Sequence, residues 1–266
     1  MFDPATGALL ERLENPDAHA DDSFGETVVG TDDWIAVGLD SGDNGPGLQR
    51  GRVDLFETRT GAHVRTIRSP TADRSFISFG KAVAISGDLL FVGAPNMRVG
   101  TASRAGMVFV YDIVSGTLLR SMDSAFDSRA ESFGRTLKSV NYGLLVGSSF
   151  SHPSGDTVGA VFLYGSDGTR LRTFEDPDPA HGDFFGFSID TVGDAILVGA
   201  PEANGRGAAY LLDSSTGALL HAFRRPPGSL TFGGFGLQVA ALGDDVVIAD
   251  PGITSRLRIR DLRDAG

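Results

Sequence analysis

Cysteine is absent from the 266 residues. That absence removes disulfides, thiolate metal centres and cysteine nucleophiles together. It leaves the compartment open, because a large β-protein can be exported without disulfides. Lysine is nearly absent as well: Lys81 and Lys138 are the only two, so almost all positive charge is arginine. No apolar run approaches the roughly 18 residues of a membrane-spanning helix, which excludes such a span. Helical periodicity is missing throughout, so almost no α-helix is expected.

The charge balance excludes more. Net charge is −11 and the pI about 4.8, so nucleic acid would be repelled. Cations, basic surfaces and neutral sugars are compatible partners. Nucleophile elbows of the GxSxG type are missing, and the five histidines, His19, His63, His152, His181 and His221, never fall in an HxxxH or HExxH spacing. No catalytic residue and no metal ligand is assigned on this basis.

What the chain does contain is a repeat. Phe-Gly pairs open strand-like stretches at Phe24-Gly25, Phe79-Gly80, Phe133-Gly134, Phe185-Gly186 and Phe235-Gly236, at intervals of 55, 54, 52 and 50 residues. A period near 50 built from short strands marks a radial β-repeat with one blade per period. In the second period, KAVAIS from Lys81, LLFVG from Leu89, GMVFVY from Gly106 and TLLRSM from Thr117 read as four strands separated by Gly, Asp and Pro turns. The other periods repeat this plan.

The ends are out of phase with the blades. FDPATGALLERLE matches the turn and fourth strand of the other repeats, whereas RLRIRDLRDAG from Arg256 matches a third strand and its turn. The expected fold is therefore all-β: one five-bladed β-propeller over 1–266, made of four-stranded antiparallel blades. Its blades are 24–69, 79–122, 133–175, 185–224, and 235–262 completed by 2–15, so that the N-terminal strand closes the ring and hides open sheet edges.

Phe-Gly followed about 14 residues later by Gly-Ala-Pro resembles the FG-GAP repeat of integrin α-subunit propellers and their bacterial relatives, the bacterial type being nearest. The fullest matches pair Phe79-Gly80 with Gly93-Ala94-Pro95, and Phe185-Gly186 with Gly199-Ala200-Pro201. The other repeats carry Gly38-Leu39-Asp40, Gly147-Ser148-Ser149 and Ala249-Asp250-Pro251. The resemblance implies an extracellular binding or adhesion module. The family's calcium loop, DxDxDGxxD between the first two strands, has no counterpart in the short turns here. Cofactors are therefore expected to be none, with Ca²⁺ the one ion the family would suggest. Met1-Phe2-Asp3-Pro4 is not a signal peptide, so an exported form is expected to have lost its leader.

In a four-stranded meander the connections alternate between the two ends of the strands. Here the second-to-third and interblade connections are long and the others tight, so the long-loop face is the expected binding surface. Asp40, Asp43, Asn44 and Asn204 on that face are the candidate ligand contacts. The leading expectation is a monomeric, non-enzymatic propeller that binds a protein, carbohydrate or cation. Two alternatives stay open. One is a carbohydrate-active enzyme with carboxylates at the central funnel; the other is a structural repeat module of a larger secreted protein.

Overall fold

The computed structural model describes residues 1–18, 23–40, 51–71, 77–124, 132–150, 158–225, 234–250 and 258–261. Blade one is built from β1 (Thr27–Gly30), β2 (Trp34–Leu39), β3 (Arg52–Glu57) and β4 (His63–Arg68). Blade two follows with β5 (Val83–Ser86), β6 (Leu89–Ala94), β7 (Met107–Asp112) and β8 (Leu118–Met122). Blade three is β9 (Thr136–Val140), β10 (Gly143–Ser148), β11 (Ala160–Tyr164) and β12 (Arg170–Glu175). Blade four is β13 (Ser188–Val192), β14 (Ala195–Ala200), β15 (Ala208–Asp213) and β16 (Leu219–Arg224). Blade five contributes β17 (Val239–Leu242), β18 (Asp245–Ile248) and β19 (Arg258–Asp261). Every sheet is an antiparallel meander in chain order, and the only helical piece among the described residues is a 3₁₀ turn, Ala203–Gly205.

Burial follows position in the blade. The second strands are covered on both faces, so WIAVGL, LLFVGA, GLLVGS and AILVGA are apolar almost throughout. The fourth strands lie outermost and keep only one residue buried in each: Ile67, Met122, Phe174 and Phe223. Apolar clusters join successive blades: one holds Ala36, Leu55, Phe79 and Val92, the next Phe91, Val108, Phe133 and Val146. The same arrangement continues through Leu145, Val161, Phe185 and Val198, and then Leu197, Ala209 and Val246. First strands face the axis, with β1 against β5, β5 against β9, β9 against β13, and β13 against β17.

The Phe-Gly pair is the hinge of this packing. Phe79, Phe133 and Phe185 are fully buried, each against an aromatic side chain of its own blade's third strand: Phe109, Phe162 and Tyr210 respectively. The glycine after each Phe has φ between 84° and 90°, a conformation costly for any side chain. Its N–H donates to the carbonyl at the end of its own second strand, as from Gly80 to Gly93 at 2.9 Å. Its carbonyl lies against the corresponding glycine of the preceding blade, and a methyl group at Gly38, Gly93, Gly147 or Gly199 would overlap it. Phe-Gly and Gly-Ala-Pro are thus two halves of one interblade contact.

The N-terminal segment shows a fourth strand's packing without its ladder. Leu13 and Met1 pack on Ile35, Val37 and Phe56, covering the face of blade one. The Glu11 side chain lies beside Gly61 just as Arg65, Arg120 and Arg172 lie beside Gly116, Gly168 and Gly217 of the next blade. Those arginines donate to carbonyls there, Arg65 to Val114 at 3.0 Å and Arg172 to Thr216 at 2.9 Å. Residues 2–15, expected to complete the fifth sheet, therefore sit against blade one in the right phase. Among the described residues they bridge only to themselves, Phe2 to Leu9, and the fifth sheet has three strands.

Candidate functional site

Strand geometry places the residue after each Phe-Gly pair at the start of a first strand, on the end of the ring that carries the interblade and second-to-third loops. The five residues there are Glu26, Lys81, Arg135, Phe187 and Leu237. Four of them line one axial cavity of about 400 Å³, together with Thr27, Val83, Leu137, Ile189, Gln238 and Val239. Lys81 with Val83, Arg135 with Leu137 and Phe187 with Ile189 line the cavity at equivalent places in blades two, three and four. All five blades therefore contribute to one pocket, polar at its mouth and aliphatic beneath.

Charge at the mouth is organised around Lys81. Its ammonium pairs with Glu26 and lies 3.2 Å from Asp40 Oδ2. Burial opposes the Lys81 charge, yet the two carboxylates outweigh it and raise its pKa. Burial likewise raises Glu26, whose carboxyl faces that of Asp40, with Lys81 pulling the other way. Asp40 is buried too, but the facing Glu26, the Lys81 charge and the Ser23 hydroxyl at 3.2 Å hold it below the usual carboxylate range.

Arg135 is treated differently. Its guanidinium stacks on the Phe187 ring, 4.5 Å from the centroid. Desolvation lowers its pKa, with only through-space help from Glu26 and Asp40. Thr136 braces this part of the rim, its hydroxyl donating to the Phe187 carbonyl at 2.8 Å.

The sequence candidates separate. Asp40 does not line the pocket itself but pairs with Lys81 of the next blade, which does. Asn204 lies in the 3₁₀ turn with φ 52° and donates to Asp178 Oδ2 at 3.2 Å, in a different cluster from Lys81 and Arg135. Asp43 and Asn44 lie outside the described residues. Asp178 also holds Arg224 at 3.0 Å, and beside it Asp176 is 5% exposed. Desolvation drives the Asp176 pKa up to about 6, helped by Asp183 and Asp178 and opposed by the Asp178 N–H. Among the described residues no group of three or more acidic or histidine side chains is arranged to hold a metal ion.

Sequence reasoning overlooked Glu26, Lys81, Arg135 and Phe187. A signal was available: in a propeller the first strand is innermost, so the residue following each phased Phe-Gly falls near the axis. These five residues share no chemistry, so no motif draws attention to them.

No curated protein matches the chain. The FG-GAP repeat family matches residues 171–212, which run from β12 of blade three through β15 of blade four. The family repeat thus begins with one blade's fourth strand and ends with the next blade's third, the same phase in which Gly61 meets Glu11. With that match set among antiparallel four-stranded meanders that repeat along the chain, the protein has a β-propeller architecture that carries an FG-GAP repeat at residues 171–212.

Proposed function

We propose that the protein is a non-enzymatic binding propeller that seats part of a protein or carbohydrate ligand in the axial pocket on its long-loop face. The observation that carries this reading is the convergence of five inner strands on one cavity with ionic, amide and aromatic side chains at its mouth. A volume of about 400 Å³ lies within the range of ligand sites, where a few polar groups orient a ligand over an apolar lining. The FG-GAP relationship favours an extracellular adhesion setting.

A hydrolytic reading would rest on Glu26 and Asp40, two carboxyl groups near the axis whose pKa values diverge. Their arrangement argues against it. They face each other across one lysine, whereas glycosidases hold their carboxylates about 5 Å or more apart around the sugar. The test is a glycan-array screen followed by affinity measurements for Gln238→Trp, which places an indole in the open mouth without touching the core. At least tenfold weaker binding of the hits is expected; unchanged affinity would overturn the pocket assignment.

A further inference from the structure

Building on the axial pocket as the ligand seat, we infer that Arg135 is its carboxylate receptor, and that the ligand presents a carboxylate on a compact body such as a uronic acid or an acidic side chain. Two cations line the pocket, and their circumstances differ. Lys81 is held by Glu26 and Asp40, whose charges neutralise it. Arg135 forms no ion pair and no side-chain hydrogen bond among the described residues, although it lines the cavity and desolvation already weighs on its charge. A partly desolvated guanidinium with no direct ion pair, supported by Glu26 and Asp40 only through space, gains more from an anion than one in water does.

Stacking on Phe187 supplies the orientation. A guanidinium laid over a ring directs its in-plane N–H donors sideways, leaving the fork free for bidentate contact with a carboxylate. Thr136 fixes the backbone beneath that ring. Leu137, Ile189 and Val239 then offer an aliphatic wall to the body that carries the carboxylate. Glu26 and Asp40 make the seat selective, because an anion entering beside Lys81 would meet two carboxylates. Arg135 is the side of the mouth open to it.

Isothermal titration with galacturonate, glutarate and neutral galactose tests this on the whole chain. Galacturonate or glutarate is expected to bind at millimolar concentration and galactose at least about tenfold more weakly, and the stronger acid identifies the source of the carboxylate. Arg135→Met should abolish the difference between acid and neutral probe, while Arg135→Lys keeps part of it, since an ammonium lacks the fork. Phe187→Leu should fall between the two, and Arg59→Ala, exposed and remote, should match the parent. Melting curves establish that each variant is folded. Equal binding of acid and neutral sugar, binding untouched by Arg135→Met, or no binding of either acid would overturn the inference. A neutral glycan blocked by Gln238→Trp but indifferent to Arg135→Met would do so while leaving the pocket assignment intact.

Discussion

Two corners of the ring carry nearly the same turn and treat its charge in opposite ways. Glu14-Asn15-Pro16-Asp17 enters blade one and Glu175-Asp176-Pro177-Asp178 enters blade four. In both, the aspartate that ends the turn pairs with the last arginine of a fourth strand, Asp17 with Arg68 at 3.2 Å and Asp178 with Arg224 at 3.0 Å. Beneath the turn they diverge. Arg68 pairs across the sheet with Arg52, but Arg224 pairs with Ala208; two residues on, Asp54 corresponds to Tyr210.

At blade one the fully buried Arg52 donates to Asp54 at 2.9 Å and to the Asp17 carbonyl at 3.1 Å, and also reaches the Asn15 side chain. Thr66 and His63 lie on the other Asp54 oxygen. At blade four Asp176 forms no ion pair among the described residues; Asp176 Oδ2 and the Tyr210 hydroxyl are buried without a well-formed hydrogen bond, though the hydroxyl lies close enough to the carboxyl to favour its charged form slightly. A repeat can thus keep a turn while the strand below decides its surroundings: Arg52 and Asp54 form a buried ion pair beneath Asn15, whereas Asp176 lies over Tyr210 with no ion pair among the described residues.

The comparison breaks first at Arg52. Arg52→Met should cost about 3–5 kcal/mol in urea denaturation, because Asp54 is left buried with its charge and the N-terminal turn loses its anchor. A loss below about 1 kcal/mol would mean that Thr66 and His63 suffice for Asp54.

Asp176→Asn should act the other way. The folded pKa of Asp176, about 6, lies above the ordinary 3.8. Its carboxyl therefore adds no penalty well below 3.8, where both states are protonated, and destabilises the fold progressively as pH rises from about 4 to about 6, levelling off above that. The asparagine variant should match the parent near pH 3 and exceed it at neutral pH by about 2–3 kcal/mol at most. Melting temperatures across that range provide the check, and parallel curves for the two proteins would refute the strain. Asp183, also raised by burial, stays in both proteins and so cancels.

The smallest effect is expected at Tyr210. Tyr210→Phe removes a buried hydroxyl that makes no well-formed hydrogen bond and lies beside the Asp176 carboxyl, and should change stability by less than about 1 kcal/mol. Destabilisation beyond that would show the hydroxyl serving Asp176 in solution.

The blade plan was legible because two local signals agree. Short continuous apolar runs such as LLFVG mark buried strands, and Phe-Gly with Gly-Ala-Pro gives each strand its place, since both glycines are required by backbone contact. The charge chemistry was less legible. Asp40 was singled out as a loop carboxylate facing a ligand, yet its partner Lys81 lies 41 residues away and becomes a neighbour only when blade two packs on blade one. Asn204 was marked for its loop and serves Asp178 of the preceding connection. Arg52 drew no attention because a buried arginine in a strand has no sequence signature.

The sequence by itself determined the strands, their antiparallel order within each blade and the repeat phase. Each of these depends on residues close in the chain or on a glycine that no other residue can replace. Only the tertiary structure decided which side chains converge on the axis, which carboxylates are neutralised and which cation is left without a direct ion pair. Those outcomes depend on radial position and on contacts between blades, which join residues some 50 apart that no local pattern relates.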